Sequence, residues 1–325
     1  MNKPILSIDQ LGVWFEMNDG SELHAVRSVS FSLDRGERFG LVGESGCGKT
    51  TTILALMGLL PPNASVAGRV LLDGENILER GEASVRGHRW KDIAMVFQGA
   101  MNAFNPVKTV GHQIADPMRL HGLAEGKAAW QRAGELLETV GISAKRADRY
   151  PHEFSGGMRQ RAAIAMALAC RPKVLLADEP TTALDVMVQA QILDLLVGLS
   201  DDFGLSVVFV THDLPIIAQV CERAAVMYAG EIMEEGPTDA LYHDPRHPYT
   251  RLLFAATPEL YGRDDLISIS GAPPRLDQEI PGCPFAPRCD RTFEPCPNVK
   301  PRYLAVGPNH FAACHLNDPR VAKAS

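Results

Sequence analysis

No stretch of this sequence is long and apolar enough to cross a bilayer, which takes about 20 consecutive apolar residues in a helix. The longest candidates, such as "AAIAMALAC" at 162–170, stop well short and are flanked by Arg161 and Arg171. The opening residues, "MNKPILSIDQL", lack a basic region followed by an apolar stretch and a cleavage site, so no export signal is read there. Basic excess is lacking as well. With a formal net charge of −7 and 22% charged residues, the chain does not suit a nucleic-acid coat. No internal repeat is apparent, which argues against a fused pair of similar domains. Any role at a membrane is therefore expected to run through a partner.

What is present is a large apolar fraction, 46% of 325 residues, enough for a sizeable core and more than one domain. The segments "LSIDQLGVWF" and "AVRSVSFSL" alternate apolar positions, Val29, Phe31 and Leu33 in the second, and flank the turn-prone "NDGSE". "FGLVG" reads as a short buried strand, and "TTILALMGLL" as a helix closed by Pro61 and Pro62. From about Gln98 to Gln160 the texture is helical, as in "KAAWQRAGELLETVG". "KVLLAD" and "LSVVFVTHD" then bracket a helix with Val188, Ile192, Leu195, Leu196 and Leu199 at helical spacing. Strand, helix and strand in alternation predict an α/β fold with a mostly parallel sheet covered by helices. "AAVMYAGEIMEEG" reads as a closing hairpin near residue 235. Beyond about residue 245 proline, arginine and cysteine take over, predicting a small extension that is ordered only if something ties it together.

Between "FGLV" and the following helix lies "GESGCGKT", residues 43–50, which meets the pattern G-x-x-x-x-G-K-[ST] with Gly43, Gly48, Lys49 and Thr50. Glycines let successive N–H groups turn inward at the head of a helix whose dipole favours anions. Gly43, Ser45, Gly46, Cys47, Gly48 and Thr51 are the expected cradle; Lys49 supplies a point charge for the β and γ phosphates of ATP, and Thr50 a hydroxyl for Mg²⁺. An accidental match is rare, about once in a hundred random chains of this length. Cys47 itself, like Cys170 and Cys221, reads as a small buried hydrophobe rather than a reactive thiol.

"KVLLADEPTTALD" ends an apolar strand with two adjacent carboxylates, where open α/β sheets place ligands. Asp178 is expected to hold Mg²⁺, directly or through water, and Glu179 to orient and polarise the attacking water. A solvated acidic turn is the plainer alternative, made less apt by the glycine loop. His212 follows the buried strand "LSVVFV" and would meet the γ phosphate if the two strands are neighbours.

The segment "YPHEFSGGMRQR", residues 150–161, resembles the signature motif of ATP-binding cassette proteins through Ser155, Gly156 and Gly157, with Phe and Met at its outer positions. The other cassette motifs follow in family order: an aromatic near residue 15, the phosphate loop, "MVFQ" with Gln98, the signature, the acid pair, "ALD" with Asp185, and His212. The resemblance implies a P-loop NTPase cassette over 1–240, with an N-terminal antiparallel β subdomain and an inserted helical subdomain at about 99–165. A cysteine-containing extension fills 241–325. It also implies a head-to-tail pair of cassettes, this chain with a copy or a paralogue, closing around two ATP molecules. Phe15 (or neighbouring Trp14) would stack on adenine, and Gln98 would reach Mg²⁺ or the lytic water. Ser155, Gly156 and Gly157 would meet a γ phosphate across the interface, and Asp185 would bridge the cassettes.

Four of the seven cysteines, Cys283, Cys289, Cys296 and Cys314, fall within 32 residues, where even scatter would leave fewer than one. Their spacings, five, six and seventeen intervening residues, come with "HPYTRLLFAATP" and "GAPPRL". Together they resemble the C-terminal region of oligopeptide/dipeptide-type importer ATPases, some of which hold a [4Fe–4S] cluster on such cysteines. Four thiolates suffice for a cubane, proline follows two of them, and Arg288 is expected to offset cluster charge. Zinc is the alternative, although its common two-residue spacing is missing; unligated thiols are another, and disulfides fit poorly in a cytosolic chain. The resemblance implies an ATPase subunit peripheral to the cytoplasmic face of the inner membrane. Its partners would be two transmembrane permease subunits, fed by an extracytoplasmic solute-binding protein. A soluble cassette ATPase acting on nucleic acid or ribosomes is the other reading, but no coiled-coil insert, zinc module or second cassette is legible, and the acidic balance offers no phosphate-binding stripe.

Overall fold

The computed structural model describes residues 3–79, 81–99, 103–256 and 269–321. Residues 100–102 of the expected helical subdomain, and the last two of "HPYTRLLFAATP", lie outside the described residues. The strands are β1 (Leu6–Glu16), β2 (Glu22–Leu33), β3 (Arg38–Val42), β4 (Ala64–Leu72), β5 (Glu75–Asn76), β6 (Ile93–Val96), β7 (Val174–Asp178), β8 (Ser206–Thr211), β9 (Arg223–Tyr228), β10 (Glu231–Pro237), β11 (Tyr303–Gly307) and β12 (His310–Ala313). The helices are α1 (Lys49–Leu56), α2 (Glu82–His88), α3 (Val110–Leu120), α4 (Gly126–Thr139), α5 (Gly156–Ala167), α6 (Val186–Phe203), α7 (Leu214–Val220), α8 (Thr238–His243) and α9 (Pro248–Ala255). The described residues divide into two compact units. One takes the chain up to Leu6, Leu33–Glu37 and Leu72–Phe209; the other takes Ser7–Ser32, Arg38–Leu71 and the chain from Val210 onward.

In the first unit β6 runs parallel to β7, with Ile93 opposite Val174 and Val96 opposite Ala177. Every residue of β6 and β7 is buried, which is why both read as unbroken apolar runs rather than alternating ones. Helices α3 and α4 fall in the segment read as helical, α5 begins in it and runs on to Ala167, and the three pack on one another. Ile114 and Met118, Ala133 and Leu137, and Ala162 and Ile164 are among their buried residues. Helix α6 buries Ile192, Leu196 and Leu199 of the expected stripe and leaves Val188 and Leu195 half-buried. It stops at Gly204, whose left-handed backbone closes the helix.

In the second unit β2, β1 and β4 form one sheet, and β11, β12, β10, β9 and β3 follow in that order in another. Strand β3 is parallel to β9, with Gly40 opposite Ala224 and Val42 opposite Val226. The hairpin β9–β10 turns at Ala229 and Gly230, both at positive φ (49° and 82°), with Tyr228 opposite Glu231. The turn thus falls inside the segment "AAVMYAGEIMEEG" read as a hairpin, and its acidic run "EE" is strand.

What ties the C-terminal tail is also visible. Strand β12 adds antiparallel to β10, pairing Glu234 with Ala312 and Glu235 with Phe311, and β11 pairs with β12 in turn. Beneath this junction Glu234 is fully buried. Its carboxylate accepts hydrogen bonds from the Arg246 N–H (2.6 Å), the His247 N–H (2.9 Å) and His310 Nε2 (2.7 Å). Three donors make such burial tolerable, since a carboxylate left unpaired there would be costly. Among the described residues no helix is long and apolar enough to cross a membrane.

Candidate functional site

The phosphate loop leaves β3 after Val42 and enters α1 at Lys49. Two of its glycines are irreplaceable on steric grounds. At Gly43 (φ 151°) a Cβ would stand 2.1 Å from the Met227 carbonyl oxygen, and at Gly48 (φ 105°) 2.4 Å from that of Ala25. Backbone therefore presses against the loop from β9 and β2, which fixes its curvature. The Lys49 ammonium is buried and donates to the Gly43 and Glu44 carbonyls at 2.7 and 2.9 Å, so it sits over the loop at the head of α1. Burial raises the Cys47 thiol above its usual range, in keeping with an inert side chain.

One loop residue escaped the sequence reading. Glu44 is held at both ends by the tail: its N–H donates to Tyr249 Oη of α9 at 3.0 Å, and its carboxylate takes a two-pronged bond from Arg288 at 2.7 and 3.1 Å. Arg288 does not serve as the expected counter-charge to a cysteine-bound cluster, since its guanidinium is spent on Glu44, the Tyr228 hydroxyl (3.1 Å) and two backbone carbonyls. A carboxylate inside an anion-binding loop calls for a cation, and that was the available clue.

In the first unit the acid pair stands at the end of β7, Asp178 as its last residue. Asp178 is 2% exposed, and Glu179 stands at φ 42°, an uncommon conformation for a residue with a side chain. Gln98, just past β6, donates to Glu179 Oε2 at 2.5 Å, and Thr182 Oγ1 donates to the same oxygen at 2.9 Å. The parallel β6–β7 register is what brings Gln98 and Glu179 together. Ser155 caps α5, its hydroxyl accepting from the Met158 N–H at 3.4 Å, and Asp185 caps α6, accepting from the Val188 N–H at 2.9 Å. A Cβ on Gly157 would meet Val188 Cγ1 at 2.7 Å, so the start of α5 lies hard against the start of α6. The signature and Asp185 are thereby neighbours, and Gly157 has a packing reason of its own.

The remaining candidates lie in the second unit. His212 is exposed after β8, before Asp213 caps α7. Phe15 is half-buried on β1, sharing its strand face with buried Leu11 and Val13. Trp14 points to the other face, where its ring lies 6.2 Å from that of His24 beside a cavity of about 680 Å³. Cys283, Cys289, Cys296 and Cys314 line one small cavity with His247 and His315. Burial, reinforced by the neighbouring thiols, pushes Cys283 up to about 12 and Cys314 to about 11. His247 is 1% exposed and held neutral by burial, its pKa down at about 4. Its Nδ1 accepts from the Tyr249 N–H, which leaves a buried Nε2 with no partner among the described residues. Among those residues, no group of three or more His, Cys, Asp or Glu is spaced to hold a single metal ion.

The chain is similar to known proteins along nearly its whole length. The family model described as ABC transporter matches residues 26–182, and that described as oligopeptide/dipeptide transporter, C-terminal region, matches 233–296. The chain is 45% identical to the dipeptide transport ATP-binding protein DppD of Bacillus subtilis, over 98% of this chain and 97% of that protein. It is 43% identical to the oligopeptide transport ATP-binding protein OppD of Salmonella typhimurium, over 95% and 93%. Among solved structures, the dimeric, post-hydrolysis ATP-binding cassette MJ0796 with ADP and Pi is 29% identical. It aligns with 72% of this chain and 98% of its own, at a TM-score of 0.64. Loop, acid pair, signature and tail thus occur together in one chain that belongs to the ABC transporter family, as an ATPase cassette carrying the oligopeptide/dipeptide-type C-terminal region.

Proposed function

We propose that the chain is the ATP-hydrolysing subunit of an importer for peptides or a related solute, peripheral to the cytoplasmic face of the inner membrane. The observation that carries this is similarity through both cassette and tail to a dipeptide transport ATP-binding protein, over 98% of the chain. On this reading residues 1–240 act as the cassette and 241–325 as its extension.

The loop from Gly43 to Thr51 binds the phosphates through its N–H groups, and Lys49 exchanges the loop carbonyls for phosphate oxygens. Thr50, Asp178 and Gln98 would hold Mg²⁺, which neutralises charge developing on the phosphates. Glu179 polarises the attacking water. Hydrogen bonds from Gln98 and Thr182 to one carboxylate oxygen favour a fixed orientation for that task. His212 faces the γ phosphate, and Phe15, whose neighbour Trp14 is engaged with His24, stacks on adenine. Ser155, Gly156 and Gly157 serve the nucleotide of a second cassette, with Asp185 beside them at the interface. Val186 and Met187, 79% and 72% exposed next to Asp185, suit a face that a partner covers. Val107 and Leu120, 78% and 74% exposed in the helical region, suit contact with the two permease subunits. The solute arrives from an extracytoplasmic binding protein and never touches this chain.

For the tail, a [4Fe–4S] cluster on Cys283, Cys289, Cys296 and Cys314 fits better than zinc. The four thiols share a cavity, and His247 offers a buried N–H with no partner among the described residues, of the kind that bonds cluster sulfur. When bound, such a cluster supplies a structural staple. Oxygen-protected protein should contain iron and sulfide and absorb near about 400 nm; zinc in their place would overturn the assignment.

The function is tested by reconstitution with two permease subunits and a receptor in vesicles. ATP-dependent uptake of labelled peptides is expected. Glu179→Gln should keep ATP binding while lowering turnover about 10³-fold. Turnover at the parent rate in that variant would dismiss Glu179 as the base.

A further inference from the structure

Two parts of the tail that are far apart in sequence converge on one residue of the phosphate loop. Tyr249 lies in α9, just after the buried Glu234–His247 junction, and Arg288 immediately precedes Cys289. Both reach Glu44, one at its backbone and the other at its carboxylate. The Arg288 side chain is 5% exposed although its partner is an acid at the surface of an anion site. It is held there by the Ile269 and Ser270 carbonyls (3.2 and 2.9 Å) and by the Tyr228 ring, 5.7 Å from the guanidinium carbon. Tyr228, Tyr249 and Phe285 form a cluster of rings with centroids 4.6–5.3 Å apart beneath it. Nothing in the chemistry of phosphate binding calls for this construction. A carboxylate in the loop repels phosphate, and the arrangement neutralises it while fixing where residue 44 stands.

We infer that Arg288 is a positioning residue for nucleotide binding: through Glu44 it holds the phosphate loop in its binding curvature and cancels the loop's one carboxylate, which makes the cysteine-rich tail part of the ATP-binding device. The two effects act in the same direction. Without Arg288, Glu44 keeps an uncompensated negative charge near the incoming triphosphate, and the first turn of the loop loses its outer anchor. Lysine cannot replace it fully, because a single ammonium cannot span both carboxylate oxygens and the two carbonyls.

The inference rests on ATP binding at residues 43–50, and the wild-type chain reports on that reading by itself. ATP·Mg²⁺ affinity of the full chain is measured by calorimetric titration, and KM and kcat in the assembled ATPase. Arg288→Ala should weaken ATP binding about tenfold, raising KM while leaving kcat within about twofold. Arg288→Lys should fall between, and Arg275→Ala, on an exposed tail arginine paired with nearby Asp277, should bind like the wild type. Glu44→Gln removes the charge, so in Arg288→Ala, where the ion pair is already gone, it should restore part of the lost affinity. Equal ATP affinity in wild type and folded Arg288→Ala would overturn the inference, and so would a loss confined to kcat. If Arg288→Ala does not fold, Arg288→Lys decides, and wild-type affinity in that variant would also overturn it. A wild type that binds no ATP would instead defeat the ATP reading itself.

Discussion

The phosphate loop and the cysteine tail are both irregular stretches held in one conformation, and they are held in opposite ways. The loop takes its shape mainly from its own residues, by glycines that alone can occupy Gly43 and Gly48 against β9 and β2 and by Lys49 folding back on its own carbonyls, with the tail anchoring it at Glu44. The tail is shaped from outside, by a buried carboxylate on β10, by strand addition to that edge and by ion pairs to residues elsewhere. The difference teaches that a binding loop encodes its shape in a few adjacent residues, whereas an extension borrows its order from the body it covers. Order should therefore be lost asymmetrically.

The largest effect on ATP binding that would break this contrast concerns Gly43. Gly43→Ala puts a methyl group onto the Met227 carbonyl, and ATP affinity should fall by more than about 100-fold. Limited proteolysis of the tail should be unchanged; a tail that loosens in this variant would show that the two regions are not ordered separately. Next comes Glu234→Ala, which strands His310 and two backbone N–H groups and should cost about 4 kcal/mol in denaturant unfolding. Here the tail should become protease-sensitive and ATP affinity should fall with it, because Arg288 leaves Glu44. The smallest effect is on pH. Side-chain and backbone hydrogen bonds from Arg320 hold the Asp318 carboxyl down at about 2, below its ordinary 3.8. A carboxyl lowered in the folded state stabilises it fully above about pH 4, and that contribution fades as pH drops towards 2. Acid titration of Asp318→Asn, followed by tail proteolysis, should lack the step seen in the parent across that window.

That the loop leaves one apolar strand and the acid pair closes another was legible in the sequence, because each is written in about a dozen consecutive residues. So were the helices between Gln98 and Gln160 and the buried strands around them. Glu44 was passed over because its partners, Tyr249 and Arg288, lie 205 and 244 residues away. Arg288 was assigned to the cysteines for the same reason: adjacency in sequence suggested a role that its side chain, turned to the loop, does not fill. The Glu234–His310 bond spans 76 residues, and nothing in the sequence around either residue points to the other. The β9–β10 hairpin was legible through Gly230, whereas Ala229 takes a left-handed backbone that alanine seldom adopts and gave no signal of its own.

The strand addition at β10 has one more effect, on how the molecule meets its own kind. A chain cut before β12 would present the outer rim of β10 bare, a row of amide donors and acceptors with nothing to zip onto except another molecule. Shortened versions of this protein should therefore clump, and a version that keeps β11 and β12 should stay dispersed, whatever becomes of the cysteines between.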